Sequence, residues 1–333
     1  MAVRAEQNLP PSVEKNRHPL GFSFALYEPT NIIYNNEDIR KKVGVKKVRR
    51  ASPHETSEYM MFHAARKVFD SHNPLDFLAV SSSFPTGENL SEMLVDVLGL
   101  DVSHRVDVHA ACSGYTRALL HLAELGQDQK LDGWNIGFVA AEKYSPYLTN
   151  GSFDAGIFTD GAIALSNLVY GENFRIVSAT GHHLDTPHDT ALRMPVDQTK
   201  MVEPFISEQI PPSQTGMFEM QGPVVYRSVI DPRHGVPSLI EEVLEAATLS
   251  ADDIDYIIPH QGSSRTNAGL MEKLPVFKDK FVTDIQDGNL SSGSIPRALS
   301  RLVPEKEMIR VLNVGFGAGL YGAAVITEHG ELT

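Results

Sequence analysis

VDVHAACSGYTRALLHLAEL, residues Val106 to Leu125, is the stretch whose reading decides the rest of the chain. Val106 and Val108 alternate with Asp107 and His109, the period of two that a strand imposes. From Ser113 onward the apolar positions Tyr115, Ala118, Leu119, Leu122 and Ala123 change to helical spacing, and Gly126 suits a C-terminal stop. Cys112, the only cysteine of the chain, therefore falls where a strand feeds a helix. With one cysteine, neither a disulfide nor a cysteine-rich metal site accounts for it. First-turn amides and the positive end of the helix dipole favour a thiolate there, and Ala110, Ala111, Ser113 and Gly114 leave the sulfur approachable. The alternative is a buried cysteine serving as a small apolar residue.

A chain of 333 residues is long enough for two domains or two fused halves. The expected division is an arm over 1–19, a half over 20–170 carrying the cysteine, and a half over 171–333. The net charge of −13 argues against nucleic-acid binding, which wants a basic field. No apolar run approaches the ~18 residues of a membrane span, and the N-terminal MAVRAEQNLPPSVEKNRHP has no apolar signal-peptide core. A cytoplasmic protein with neither nucleic-acid nor membrane partner is the expectation.

Gly21–Leu26 reads as a first strand. Arg40, Lys41, Lys42, Lys46, Lys47, Arg49 and Arg50 then crowd into eleven residues, either a solvated face or a seat for a phosphate-bearing or acidic partner. The spacing predicts helices over Ser57–Phe69 and Glu88–Leu98, with buried strands over Leu75–Ser81 and Trp134–Ala140. Past Tyr170, His182 to Pro212 reads as an irregular excursion. Its His182, His183, Asp185 and His188 match no standard metal spacing, and no metal is expected. Pro223–Ile230 and Gly235–Thr248 read as helices, and Tyr256–Ile258 as a short strand running into Pro259-His260-Gln261. Gly288 to Pro296 is a Gly/Ser-rich loop opening a helix, and Ile309–Val314 and Leu320–Ile326 are strands joined by Gly315-Phe316-Gly317-Ala318-Gly319. Strands alternating with helices in both halves predict an α/β fold with mixed, mainly parallel sheets and helices between and outside them. Ligands belong at the strand ends.

Cys112, His260 and Asn289 stand at loop positions suited to a nucleophile with two hydrogen-bonding groups around it. Papain-like proteases use the same residue types in the same order, and the 148 residues between Cys112 and His260 fit them. Their local cysteine signature is absent, since the residues here read AACSGY.

The chain after residue 20 resembles the β-ketoacyl-acyl carrier protein synthase III family, condensing enzymes of the thiolase fold. VDVHAACSGYTRAL is similar to the family's nucleophile segment, IIPHQGSSR to its His-Gln-Ala-Asn-x-Arg segment, and GNLSSGSIPRAL to its Gly-Asn-Thr-Ser segment. FTDGAIA and NVGFGAGLYGAAVI also fit, all in the right order.

The resemblance implies a fold of two similar βαβ-type halves, with Cys112 as acyl acceptor and His260 and Asn289 as the catalytic pair. It implies an oxyanion site from the backbone N–H groups of Cys112 and Ala318. Lys46 and Arg265 would bind coenzyme A or the carrier, and Phe84 and Phe316 would belong to the acyl pocket, Phe84 by reaching a neighbouring subunit of a homodimer. Implied substrates are an acyl-coenzyme A donor and a malonyl thioester on acyl carrier protein or coenzyme A, with no resident cofactor. The setting would be fatty-acid initiation or a polyketide-like specialised pathway. The alternative within the fold passes the acyl group to a hydroxyl or amine without decarboxylation. Departures are Ser263 in the His260 segment, Tyr321-Gly322 after the terminal turn, and no counterpart near Ile39 of the family's adenine-stacking tryptophan.

Overall fold

The strand read at Val106 runs from Val102 to His109 and is buried over its second half. It lies parallel to Leu75–Ser81 on one side and to Phe205–Ser207 on the other. The computed structural model describes residues 15–84, 89–149, 151–184, 191–193, 205–207 and 217–332.

Two mixed sheets carry the fold. The first orders its strands as Asn16–Arg17, Ser23–Tyr27, Gly161–Val169, Asn135–Glu142, Leu75–Ser81, Val102–His109 and Phe205–Ser207. The second runs Tyr256–Pro259, Met308–Phe316, Tyr321–Gly330 and Phe174–His183. Parallel pairing is confined to the strands around Leu75–Ser81 and Val102–His109 in the first sheet and to Tyr256–Pro259 with Met308–Phe316 in the second. The other pairs are antiparallel, so the parallel share is smaller than the alternation of strands and helices suggested. The reason is local: turns return Asn135–Glu142 into Gly161–Val169 and Met308–Phe316 into Tyr321–Gly330 without a crossover helix.

Between the sheets lie the helices Gly114–Asp128 and Ser294–Ser300. Leu119 and Leu122 of the one, with Ile295 and Leu299 of the other, share a core with Phe77 and Val108 of the first sheet and Val311 and Val325 of the second. Ser57–Val68 and Leu90–Leu98 cover the outer face of the first sheet through Met61, Ala64 and Leu94. Val236–Ala247 and Ser264–Lys273 cover that of the second through Leu239, Val243 and Leu270. This sheet-on-helix stacking is what the apolar faces require, since a helix between two sheets must be apolar on both sides. Among the described residues no helix is long and apolar enough to cross a membrane.

Three expectations are corrected. Gly126 does not stop its helix, which continues to Asp128. Its missing side chain serves packing, because a Cβ there would stand 2.9 Å from Leu131 Cδ1. The end of the 1–19 arm is not loose. Asn16 and Arg17 pair with Phe24 and Ser23, and buried His18 bonds the Leu302 carbonyl through Nε2 at 2.8 Å. His182 and His183 belong to a paired strand, and Phe205–Ser207 extends the sheet of Val102–His109. Asp185 and His188 lie outside the described residues. His182 instead meets Glu242 at 3.2 Å, and among the described residues no group of three or more His, Cys, Asp or Glu could hold a metal.

Candidate active site

Cys112 sits in a single 3₁₀ turn, Ala111–Ser113, between the strand Val102–His109 and the helix that starts at Gly114. Ala111 takes φ 42°, a left-handed value that costs an L-residue energy and lifts the next side chain out of the turn. The Asn289 loop is built alike: Ser291 takes φ 47° in the 3₁₀ turn Ser291–Gly293, ahead of the helix Ser294–Ser300. These two turns face each other across the site.

Asn289 is fixed at both ends. Its backbone N–H donates to Ile157 O at 2.8 Å and its carbonyl accepts from Thr159 N–H at 2.9 Å. Its Oδ1 accepts from Ser291 N–H at 2.7 Å and Ser294 Oγ at 3.1 Å, which turns the Nδ2 donor to the sulfur of Cys112 at 3.9 Å. His260 follows the strand Tyr256–Pro259, and its N–H donates to Val314 O at 2.7 Å. Its ring meets that of Phe316 edge-on at 5.3 Å. The buried Gln261 side chain accepts from Asp284 N–H at 2.6 Å, while Arg297 joins Asp284 Oδ2 at 2.8 Å and the Gly288 carbonyl at 2.6 Å. One buried arginine thus ties the His260 loop to the Asn289 loop.

Cys112, His260, Asn289, Phe316 and Gly317 line one cavity of about 280 Å³. Its inner wall is apolar, with Ile157 and Phe158 both buried. Its exposed rim carries Lys42 and Arg265, Lys42 Nζ lying 6.0 Å from the Phe153 ring and the Arg265 guanidinium 5.0 Å from that of Tyr226. A Cβ on Gly317 would stand 3.0 Å from the Cys112 nitrogen and 3.1 Å from that of Ser113, so the glycine turn closes on the Cys112 backbone. Only a residue without a side chain permits that approach.

Burial works against the resting thiolate that the sequence suggests. Burial pushes the Cys112 thiol up to about 12, and the nearby Glu142 carboxylate adds to the rise. Donors from Ser291 at 3.4 Å, Asn289 and Tyr144 oppose it without winning. Although Cys112 keeps some surface in the cavity, the apolar walls remove the water that would solvate a charge. His260 is held neutral, its imidazolium pKa pulled down to about 3 by burial and then by the Arg297 charge.

Of the other sequence-derived positions, Arg265 and Phe316 reach the cavity and Lys46 does not. Lys46 is exposed just ahead of the strand Lys47–Arg50, its backbone N–H bonded to Gln286 O at 2.9 Å, and the member of the basic cluster that reaches the rim is Lys42. Lys47 pairs with Asp287 at 3.2 Å, Arg49 with Glu28 at 2.7 Å, and Arg50 donates to the Phe158 and Ala155 carbonyls. Three of the seven basic residues, Lys47, Arg49 and Arg50, therefore hold the fold together. Phe84 is turned inward, stacked on Tyr147 at 4.4 Å and edge-on to Tyr144 at 4.7 Å, and does not line the cavity. Sequence reasoning missed Glu142, Tyr144, Ser83 and Ser291 around the sulfur. A glutamate closing the apolar run Ile136 to Ala141 was the available signal.

Residues 244–329 match the family model described as 3-oxoacyl-[acyl-carrier-protein] synthase III C terminal. A β-ketoacyl-[acyl-carrier-protein] synthase III of Oceanobacillus iheyensis is 29% identical over 334 residues, covering 92% of this chain and 97% of that protein. The crystal structure of the Aquifex aeolicus 3-oxoacyl-[acyl-carrier-protein] synthase III superposes with a TM-score of 0.74 at 22% identity, covering 96% of this chain and all of that one. The priming β-ketosynthase of the R1128 polyketide pathway gives 0.73 at 24% identity, over 98% and 99% of the two chains. The resemblance to the β-ketoacyl-acyl carrier protein synthase III family thus holds along the chain, and the fold is thiolase-like.

Proposed function

We propose that this β-ketoacyl synthase III-like chain is a condensing enzyme that loads an acyl group onto Cys112 and joins it to a malonyl thioester with loss of CO2. The observation that carries the reading is the convergence of Cys112, His260 and Asn289 on one apolar cavity, with neutral donors placed beside the sulfur.

Sulfur attacks the donor's thioester carbonyl, the oxyanion leans on backbone N–H groups beside Cys112, and the donor thiol leaves with a proton from solvent. The malonyl thioester then occupies the emptied cavity, loses CO2, and its enolate oxygen accepts from His260 and Asn289. Two neutral donors suit this task. A cation would hold the malonyl carboxylate in place, whereas an amide and a neutral imidazole favour the charge only where it develops. The enolate carbon attacks the acyl carbonyl, the carbon–sulfur bond to Cys112 breaks, and the β-ketoacyl thioester departs. The dry wall of Ile157, Phe158 and Phe316 keeps water from the acyl-enzyme. Lys42 and Arg265 at the rim suit the phosphates of coenzyme A or of a carrier's pantetheine arm.

The test is incubation with a panel of acyl-coenzyme A and acyl-carrier thioesters, reading the mass of the Cys112 peptide and then CO2 from malonyl thioester. An acyl mass absent in Cys112→Ser, followed by CO2 release, is expected. Acylation without CO2 release from any malonyl thioester would favour transfer to a hydroxyl or amine instead.

A further inference from the structure

We propose that Cys112 and Glu142 share one proton through the hydroxyls of Ser291 and Ser83, so that the nucleophile forms by moving its proton to Glu142 and not by losing it to water. The idea rests on the reading of Cys112 as the nucleophile and concerns how it is charged.

Glu142 closes the strand Asn135–Glu142 and is fully buried. Its carboxylate accepts from Ser83 N–H at 3.0 Å, Ser292 N–H at 3.3 Å and the Ser292 hydroxyl, and the nearby Ser83 hydroxyl helps to hold its pKa down. These partners are neutral. A buried carboxylate without a cation is costly as an anion, and burial raises Glu142 to about 7. From it a chain of hydroxyls leads to the sulfur. Ser83 Oγ lies 2.8 Å from Ser291 Oγ, and Ser291 Oγ lies 3.4 Å from Cys112 Sγ. The Tyr144 hydroxyl sits across both serines, at 3.1 Å and 3.0 Å.

Charge counting favours the transfer. With Glu142 ionised, a thiolate would put two negative charges into one dry cluster. Passing the thiol proton to Glu142 leaves one negative charge before and after, and the pair titrates as a unit. The proton balance closes: Cys112 gives its proton to Ser291 as Ser291 gives its own to Ser83 and Ser83 to Glu142. Glu142 keeps it while the acyl group occupies the sulfur and returns it when condensation releases the thiolate.

The groups facing the pair do not replace Glu142 in this role. His260 is held neutral at about 3, a far weaker base. Tyr144 is raised well above its usual value by burial and by the charges of Cys112 and Glu142. Asp160 is occupied by the N–H groups of Tyr144, Ser145 and Ala51. On the nucleophile strand, Asp107 accepts from Leu90 and Ser91 N–H, and His109 Nδ1 meets the Ser82 carbonyl at 3.0 Å. Arg297 is engaged by Asp284 and Gly288.

Alkylation by iodoacetamide, followed from pH 5.5 to 10 by the mass of the Cys112 peptide, reads thiol ionisation without any acyl substrate. Its outcome is therefore separate from that of acyl transfer. In the wild-type chain the rate should climb tenfold per pH unit to about pH 7 and then level off, because further ionisation of the cluster stops changing the thiolate share. Glu142→Gln should climb tenfold per unit without a break through pH 9, and Glu142→Asp should restore the break. An unbroken climb in the wild type overturns the proposal whether or not Glu142→Gln folds. So does a break that persists in Glu142→Gln.

Discussion

The side-chain nitrogen of Asn289 stands 3.9 Å from the sulfur of Cys112 although 177 positions separate the two residues. The approach is set by backbone geometry on both sides. Cys112 lies in, and Asn289 just ahead of, a 3₁₀ turn with one positive-φ residue, and each turn opens a helix packed between the sheets. The distance is therefore held by the packing of two helices and not by a flexible contact.

On the proposed reading Asn289 and His260 serve the second half-reaction, so the halves should be separable. His260→Ala and Asn289→Ala should still take up an acyl group, read as peptide mass. CO2 release from malonyl thioester should slow by about 10²–10³ in each, the usual loss for an oxyanion donor. The double variant should be little slower than the slower single one, since both act on one oxygen. Loss of acylation in both singles would make His260 a base for the first step.

The rim charges should govern substrate capture. Lys42→Glu and Arg265→Glu should each raise KM roughly tenfold for a phosphate-bearing thioester, more at low salt, with kcat nearly unchanged. Lys47→Glu, which breaks the pair with Asp287 and leaves the cavity untouched, should instead cost stability on the order of 1 kcal/mol. Steady-state kinetics at two ionic strengths, with urea denaturation alongside, would separate these effects.

Behind Cys112, Gly315 has no room for a side chain. A Cβ there would lie 2.0 Å from Thr116 Oγ1 and 3.1 Å from Ser113 Cα. Gly315→Ala should cost about 1–3 kcal/mol by overpacking. Thr116→Ala in the same chain should recover part of it by removing the nearer clash, so the two changes should be non-additive in a double-mutant cycle.

Buried histidines should make the protein acid-sensitive. His329 is fully buried between Phe174 and Phe22, and burial, aided by His18, lowers its pKa to about 3 from 6.5. The unfolded chain binds the proton first, so stability is complete above pH 6.5 and falls as pH drops toward 3. At pH 4 the loss from this residue is about 3 kcal/mol at about 1.4 kcal/mol per pH unit. His329→Phe should flatten that part of the pH–stability curve measured by urea denaturation, and an unchanged slope would count against the assignment.

The sequence by itself determined what neighbours along the chain can record. Alternation at Val106 and Val108 followed by helical spacing placed Cys112 at a strand–helix junction, and the segments around Cys112, His260 and Asn289 carried the family resemblance. Periodicity is local, so the elements and their order were legible. Tertiary structure alone decided the chemistry of the sulfur. Its ionisation depends on walls from Ile157, Phe158 and Phe316 and on the charge of Glu142, all distant in sequence from position 112. It also decided which of two lysines lines the cavity. Lys42 and Lys46 are equivalent in composition, but the turn at Gly44, with φ 78°, sends only Lys42 to the rim. Burial and Coulomb interactions fall off with distance in space, and the sequence pattern carries no measure of that distance.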